Sequence, residues 1–215
     1  MSHLLVVCAK RYNGHELWTL LGVLQGRGHT FEVASQATLI RDELTLQPNT
    51  IERTVYEVGS EELQNESFQA MCVVSGNMED TEKYWRDEHV MKLLRSAKEA
   101  ELVIAAICCS VPTLGPVVEG VPVSYFPLVR SRHHLERYKA VLQNVSLTVD
   151  VPNRTITAEN QMITQMWADE ICNMLEGKDP QYHFTKTDFM PKGGPRRMPK
   201  EVEQAMREAG RTDVD

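Results

Sequence analysis

One stretch narrows the possible folds of this chain more than any other. From Leu102 to Ile107 every residue is apolar, and the run ends at Cys108-Cys109-Ser110-Val111-Pro112. A strand with one wet face would alternate polar and apolar residues. An unbroken β-branched run with turn chemistry at its end instead predicts a strand buried on both faces, at the centre of a parallel sheet. Open parallel sheets bind their ligands outside the carboxyl ends of the strands. Cys108 stands at such an end. Two roles are open to it at this point. Free cysteine is most often a small buried hydrophobe. A thiol at a sharp strand-to-helix turn can also be a nucleophile, with backbone N–H groups of the following turn favouring its thiolate.

The rest of the chain supplies the sheet that this strand needs. His3 to Ala9 and Thr30 to Ser35 predict two more strands, joined by a helix with Leu17, Leu20, Leu21 and Leu24 on one face. Ala70-Met-Cys-Val-Val74 predicts a further buried strand. A helix is expected over 82–100 and a strand with one wet face over 53–58. Residues 36–49 are polar, read ambiguously and are expected to be partly loop. Past the cysteines, a short helix is expected over 111–119, a strand over 121–126 and a short helix over 135–142. A hairpin over 145–157 and a helix over 158–175 follow. Trp18, Trp85 and Trp167 are assigned to packing, and Cys8, Cys72 and Cys172 to the core. The length of 215 residues suits one α/β domain over 1–178, with a charged, Pro- and Gly-containing extension over 179–215 that contains a possible short helix at 200–209.

Composition removes several classes of function. The net charge of −7, with no basic stripe, argues against a nucleic-acid partner. The longest uncharged stretch, Leu102 to Val118, is interrupted by Pro112, Gly115 and Pro116 and falls short of the ~20 residues of a membrane span. The start of the chain has no basic, then apolar, leader pattern, and five cysteines without framework spacing suit a reducing compartment, so a cytoplasmic setting is expected. No His/Cys/Asp/Glu spacing calls for a metal, and no Gly-rich phosphate loop calls for a nucleotide cofactor.

Three predicted strand ends now meet at one edge. The first leads into Asn13-Gly14-His15-Glu16, the second into Ser75-Gly76-Asn77 and the third into Cys108. With these, Ala105-Ala106-Ile107-Cys108 resembles the nucleophile elbow of the PfpI/ThiJ family, relatives of the class I glutamine amidotransferases. Gly120-Val-Pro-Val-Ser-Tyr-Phe-Pro127 is similar to a further segment of that family. The resemblance spans roughly residues 3 to 177. It implies a flavodoxin-like three-layer α/β/α sandwich around a mostly parallel sheet. It also implies Cys108 as nucleophile, Glu16 as acid/base, and N–H groups at Gly76, Asn77 and Cys109 around an oxyanion. His15, Ser110, Phe126, His133 and His134 become candidates for the cleft lining. The implied activity is that of a cofactor-free hydrolase or lyase on a small carbonyl compound, of glyoxalase III or deglycase type, working as a homodimer or larger homo-oligomer. Redox-responsive or chaperone-like binding through an oxidisable Cys108 is a second implication, and an intracellular protease or amidase a third.

Some residues depart from the family pattern. Cys109 stands where the proteases of the family carry histidine, which turns the expectation away from proteolysis. Asn77 stands where a second oxyanion glycine is usual. Pairing Pro112-Thr113 with the family's Pro-Thr would make Cys109, not Cys108, the elbow residue. Glu16 has a competing structural role, because Asn13 and Glu16 have the spacing of a helix capping box. His133 and His134 sit in a basic run with Arg130, Arg132 and Arg137. That run suits a solvated face; a general base or an anion contact is the alternative.

Overall fold

The computed structural model describes residues 1–65 and 67–182. The helix expected at 200–209 and the rest of the extension beyond 182 lie outside the described residues.

Chain order sets the sheet. β1 (His3–Cys8) passes through β2 (Arg11–Tyr12) into α1 (Gly14–Gly26). β3 (Thr30–Ser35), β4 (Leu39–Asp42), β5 (Pro48–Thr50) and β6 (Arg53–Thr54) follow, then α2 (Ser60–Gln64) and β7 (Ala70–Val74). Next come α3 (Met78–Tyr84), α4 (Glu88–Glu99) and β8 (Val103–Ile107). A 3-10 segment, Cys108–Val117, leads to β9 (Pro122–Val123), α5 (Val129–Arg137) and β10 (Val141–Leu142). β11 (Leu147–Asp150), β12 (Thr155–Ala158) and α6 (Thr164–Leu175) complete the described elements.

Seven strands form the main sheet in the order β11-β12-β8-β7-β1-β3-β6. Every neighbouring pair is parallel except β11 with β12. β8 lies between β7 and β12, and all five of its residues are fully buried. Alternation along the strands divides the core. Leu5, Val7, Met71, Val73, Ile104 and Ala106 face Val90, Leu93 and Leu94 of α4 on one side. Leu4, Val6, Cys72, Val74, Ala105 and Ile107 face Leu17 and Leu20 of α1 and Trp167 and Ile171 of α6 on the other. Helices on both faces of a mostly parallel sheet make the expected three-layer α/β/α sandwich.

Local chemistry explains where the expected elements shift. The helix expected over 82–100 is two helices, because Asp87 leaves the helical path and its Oδ1 caps α4 by accepting the Val90 N–H at 3.0 Å. The strand expected over 53–58 ends at Thr54, where the Glu57 carboxylate takes the Thr54 N–H at 2.6 Å and turns the chain. Residues 36–49 are not simply loop: β4 pairs with β2 and β5 in a small three-stranded sheet. The helix expected over 111–119 is the 3-10 segment, in which Pro112 and Pro116 lack donors. Only Pro122–Val123 of the strand expected over 121–126 pairs, and the helix expected at 135–142 is α5, lying earlier. α6 starts at Thr164 because β12 runs through Ala158. Trp18 does not pack inside; it is 52% exposed.

Residues 181 and 182 are bound to α6. Glu170, fully buried in α6, accepts the N–H groups of Gln181 and Tyr182 at 2.6 Å each. Among the described residues, no helix is long and apolar enough to cross a membrane.

Candidate functional site

β8, β7 and β1 are neighbours, so their carboxyl ends deliver Cys108, Ser75 and the start of α1 to one edge. Cys108 sits at φ +58°. Left-handed backbone at a non-glycine residue costs on the order of 1–3 kcal/mol and is held only where the surroundings impose it. Ser110 does much of the imposing. Its hydroxyl oxygen lies 2.6 Å from the Ile107 carbonyl and 2.7 Å from that of Val73, and it accepts the Ile107 N–H at 3.2 Å. Ser110 is therefore a buried brace tying the elbow to β7, not cleft lining. The left-handed residue is Cys108 and not Cys109, which settles which cysteine occupies the sharp turn.

The Cys108 Sγ lies 3.7 Å from the Cys109 Sγ. That neighbouring thiol, and then burial, push the Cys108 pKa up; the Cys109 backbone N–H and the Ser75 side chain pull it down without prevailing. The expectation of an activated thiolate is thus not met in a single-residue sense.

Glu16 is fully buried. Its Oε2 accepts from the Ser75 N–H at 3.0 Å and from the Ser75 hydroxyl at 2.7 Å, while Oε1 is buried with no partner. Burial, and next the nearness of Cys108, raise its pKa well above the carboxylate range, against the pull of Ser75. Half of the capping box is present: Asn13 Oδ1 accepts the Glu16 N–H at 3.2 Å. The other half is blocked, because the Asn13 N–H already donates to the Ser75 carbonyl at 2.9 Å. With no donor to reach back to, the Glu16 carboxyl turns toward the sheet edge. The cap is Asn13, and the Glu16 carboxyl is bound to Ser75 at the end of β7.

The expected oxyanion donors at Gly76 and Asn77 are committed elsewhere. The Gly76 N–H donates to Thr81 Oγ1 at 3.2 Å and the Asn77 N–H to the Arg11 carbonyl at 2.7 Å. What lowers the Cys108 pKa is the Cys109 backbone N–H and then the Ser75 side chain, whose hydroxyl donates to Glu16 Oε2. Gly76 instead permits close approach: a Cβ there would collide with the Arg11 carbonyl oxygen and lie 2.6 Å from Tyr12 Cα. Gly76→Ala is expected to cost about 3 kcal/mol, a fall of roughly 10 °C in a thermal melt. A melt within about 2 °C of the native protein would show that the β2–Gly76 contact yields easily.

The remaining candidates divide. His15 is exposed on the first turn of α1, and Phe126 is half-buried beyond β9; neither has a hydrogen bond or ring contact to the cysteines. His133 is exposed and His134 half-buried on α5. Trp85 does more than the packing expected of it. It also holds the elbow, since its indole N–H donates to the Cys109 carbonyl at 3.0 Å. The His134 ring lies 5.3 Å from the Trp85 ring, so His134 touches the indole that holds the elbow. Nothing in the local sequence around Trp85 signals a contact made across 24 residues.

The family model described as the DJ-1/PfpI family matches residues 2–173. An uncharacterized protein of Methanocaldococcus jannaschii is 21% identical over 175 residues, covering 80% of this chain and 82% of that protein. The crystal structure of a ThiJ/PfpI domain protein from Brachyspira murdochii has a TM-score of 0.71 at 16% identity, over 82% of this chain and 98% of the other. DJ-1beta of Drosophila melanogaster has a TM-score of 0.69 at 20% identity, over 83% and 92%. Oxidized DJ-1 of Toxoplasma gondii has 0.65 at 18%, over 83% and 92%. At these identities the solved structures establish the fold.

Proposed function

The chain belongs to the DJ-1/PfpI family, and from that premise we propose that it is a cysteine-dependent enzyme of glyoxalase or deglycase type. In this reading it acts on a small carbonyl compound without a cofactor. The observation that carries the reading is Glu16 Oε1, a buried carboxyl oxygen without a partner beside a cysteine held at φ +58°. A carboxyl kept neutral by burial can donate a proton to a carbonyl oxygen and then take one back. The Cys108 sulfur adds to the carbonyl carbon, the C=O π-bond opens, and the oxygen acquires the proton that the thiol gives up. The product is a hemithioacetal, and Glu16 is the carrier of that proton. The Cys109 N–H is the donor available to developing charge, because the Ser75 hydroxyl already donates to Glu16 Oε2. A homo-oligomeric state and a cytoplasmic setting belong to the same proposal. Purified protein given an excess of methylglyoxal is expected to deplete it over many turnovers. Consumption that stops at one equivalent per chain would reject catalysis.

The redox reading has its own support in the 3.7 Å between the two sulfurs. A peroxide would oxidise Cys108 to a sulfenic acid, releasing the reduced peroxide. The Cys109 thiol would then displace water and form a disulfide between adjacent residues. Adjacent Cα atoms are about 3.8 Å apart, shorter than the roughly 4.4–6.8 Å usual for disulfides, so this bond would be strained and readily reduced. Mild peroxide is expected to lower the intact mass by two hydrogens, and Cys109→Ala to divert the product to a two-oxygen adduct on Cys108. A two-oxygen adduct in the native protein would show that Cys109 does not intercept the sulfenic acid. Proteolysis has less behind it, because His133 and His134 line a cavity beyond Trp85.

A further inference from the structure

On the far side of Trp85 from its bond to the elbow lies a cavity of about 540 Å³ between the α3–α4 junction and α5. Its charges are unevenly matched. Glu82 is answered by Arg130 at 2.6 Å and Glu79 by Arg11 at 3.1 Å, while Lys83 is held by Asp80 at 3.0 Å. Arg86 and Arg137 also line the cavity, and among the described residues neither side chain has an ion-pair or hydrogen-bond partner. His134 lines the same cavity, and its Nε2 is buried and unbonded. Burial, then Arg86, then Arg137 lower its pKa, so both guanidinium groups are near enough to act on it. The imidazole is fixed between two rings, Trp85 and Tyr138, each with its centroid 5.3 Å away. Tyr138 is itself pressed onto Gly115, where a Cβ would run into the ring.

We propose that this cavity is a binding site for a compact oxyanion, such as a phosphate, sulfate or carboxylate group, held by Arg86 and Arg137 with His134 as the third contact. Unpaired guanidinium groups converging on one concavity form the recognition element for planar and tetrahedral oxyanions. The site stands apart from Cys108, and its presence does not depend on the carbonyl chemistry. Trp85 joins the two, because the ring that flanks His134 is the one whose N–H holds the Cys109 carbonyl.

The test uses the full chain, titrated with inorganic phosphate at constant ionic strength set with chloride. The His134 ring resonances, assigned with His134→Gln, are expected to shift saturably with half-saturation below about 20 mM. The His134 pKa is expected to rise, because the bound negative charge favours the imidazolium. In Arg86→Gln/Arg137→Gln, whose changes fall on exposed side chains, half-saturation is expected to weaken tenfold or more while the melting temperature stays unchanged. A second arm repeats the titration with glycerol phosphate. Equal affinity assigns the site to the anionic group alone, and tighter binding shows that the cavity also recognises what carries it. No saturable His134 shift, or an equal shift in the double variant, would overturn the proposal.

Discussion

Cys108→Ser is expected to reduce the rate of methylglyoxal consumption by roughly a thousandfold or more, to the level of the buffer. The hydroxyl would keep the shape of the elbow but lack a nucleophile of useful strength. Cys109→Ala is expected to have the opposite character. The Cys109 thiol is the largest cause of the raised Cys108 pKa. Removing it leaves the Cys109 backbone N–H and the Ser75 side chain favouring the charged sulfur against burial. The Cys108 thiol should then ionise at lower pH and react faster with iodoacetamide at pH 7, by about threefold for each pKa unit recovered while the thiol remains mostly protonated. Turnover should survive, with its pH profile moved to the acid side. If Cys109→Ala abolished turnover while Cys108→Ser preserved it, the backbone evidence for Cys108, its φ of +58°, would have pointed to the wrong sulfur.

The site is unevenly written in the sequence. β8 is plain because burial on both faces leaves no periodicity to misread, and the run from Val103 to Ile107 is fully buried as its composition requires. Glu16 is visible as a residue with two possible duties. What decides between them is the Asn13 N–H bond to the Ser75 carbonyl, a contact between the start of α1 and the end of β7 that no local spacing encodes. Gly76 and Asn77 stand out as unusual, and the family resemblance implies that their N–H groups face a ligand. Thr81 and the Arg11 carbonyl take those donors, in the second case through packing between elements distant in the chain. The resemblance likewise puts Ser110 in the cleft, whereas its hydroxyl points down to Val73 and Ile107. Local patterns therefore identify which residues gather at the sheet edge. The hydrogen bonds that divide them into brace, cap and reactive group depend on partners from other strands.

Glu16→Gln gives the sharpest separation of those roles, because the two readings of Glu16 predict opposite signs. The native carboxyl has a folded pKa raised well above its ordinary value, chiefly by burial. A group of this kind binds its proton more tightly in the folded chain than in the unfolded one. Its contribution to stability is complete below the unfolded carboxylate pKa and is lost as pH rises through the raised folded value. Across that window the native protein should lose up to about 1.4 kcal/mol of stability per pH unit from this residue alone. Glutamine keeps the shape and remains neutral, and its carbonyl oxygen can accept the two Ser75 bonds now made to Oε2. The Glu16→Gln variant should therefore melt with less pH dependence than the native protein, and above it at pH 8, while carbonyl turnover falls by roughly 10²–10⁴ as the proton carrier is lost. A capping role demands the reverse. A carboxylate on the first turn of α1 would stabilise the helix by about 0.3–1 kcal/mol through its dipole, and neutralising it would lower the melt at pH 8 and leave chemistry intact. Melts at pH 5 and pH 8, read beside turnover, thus distinguish a buried acid that serves Cys108 from a charge that serves only its own helix.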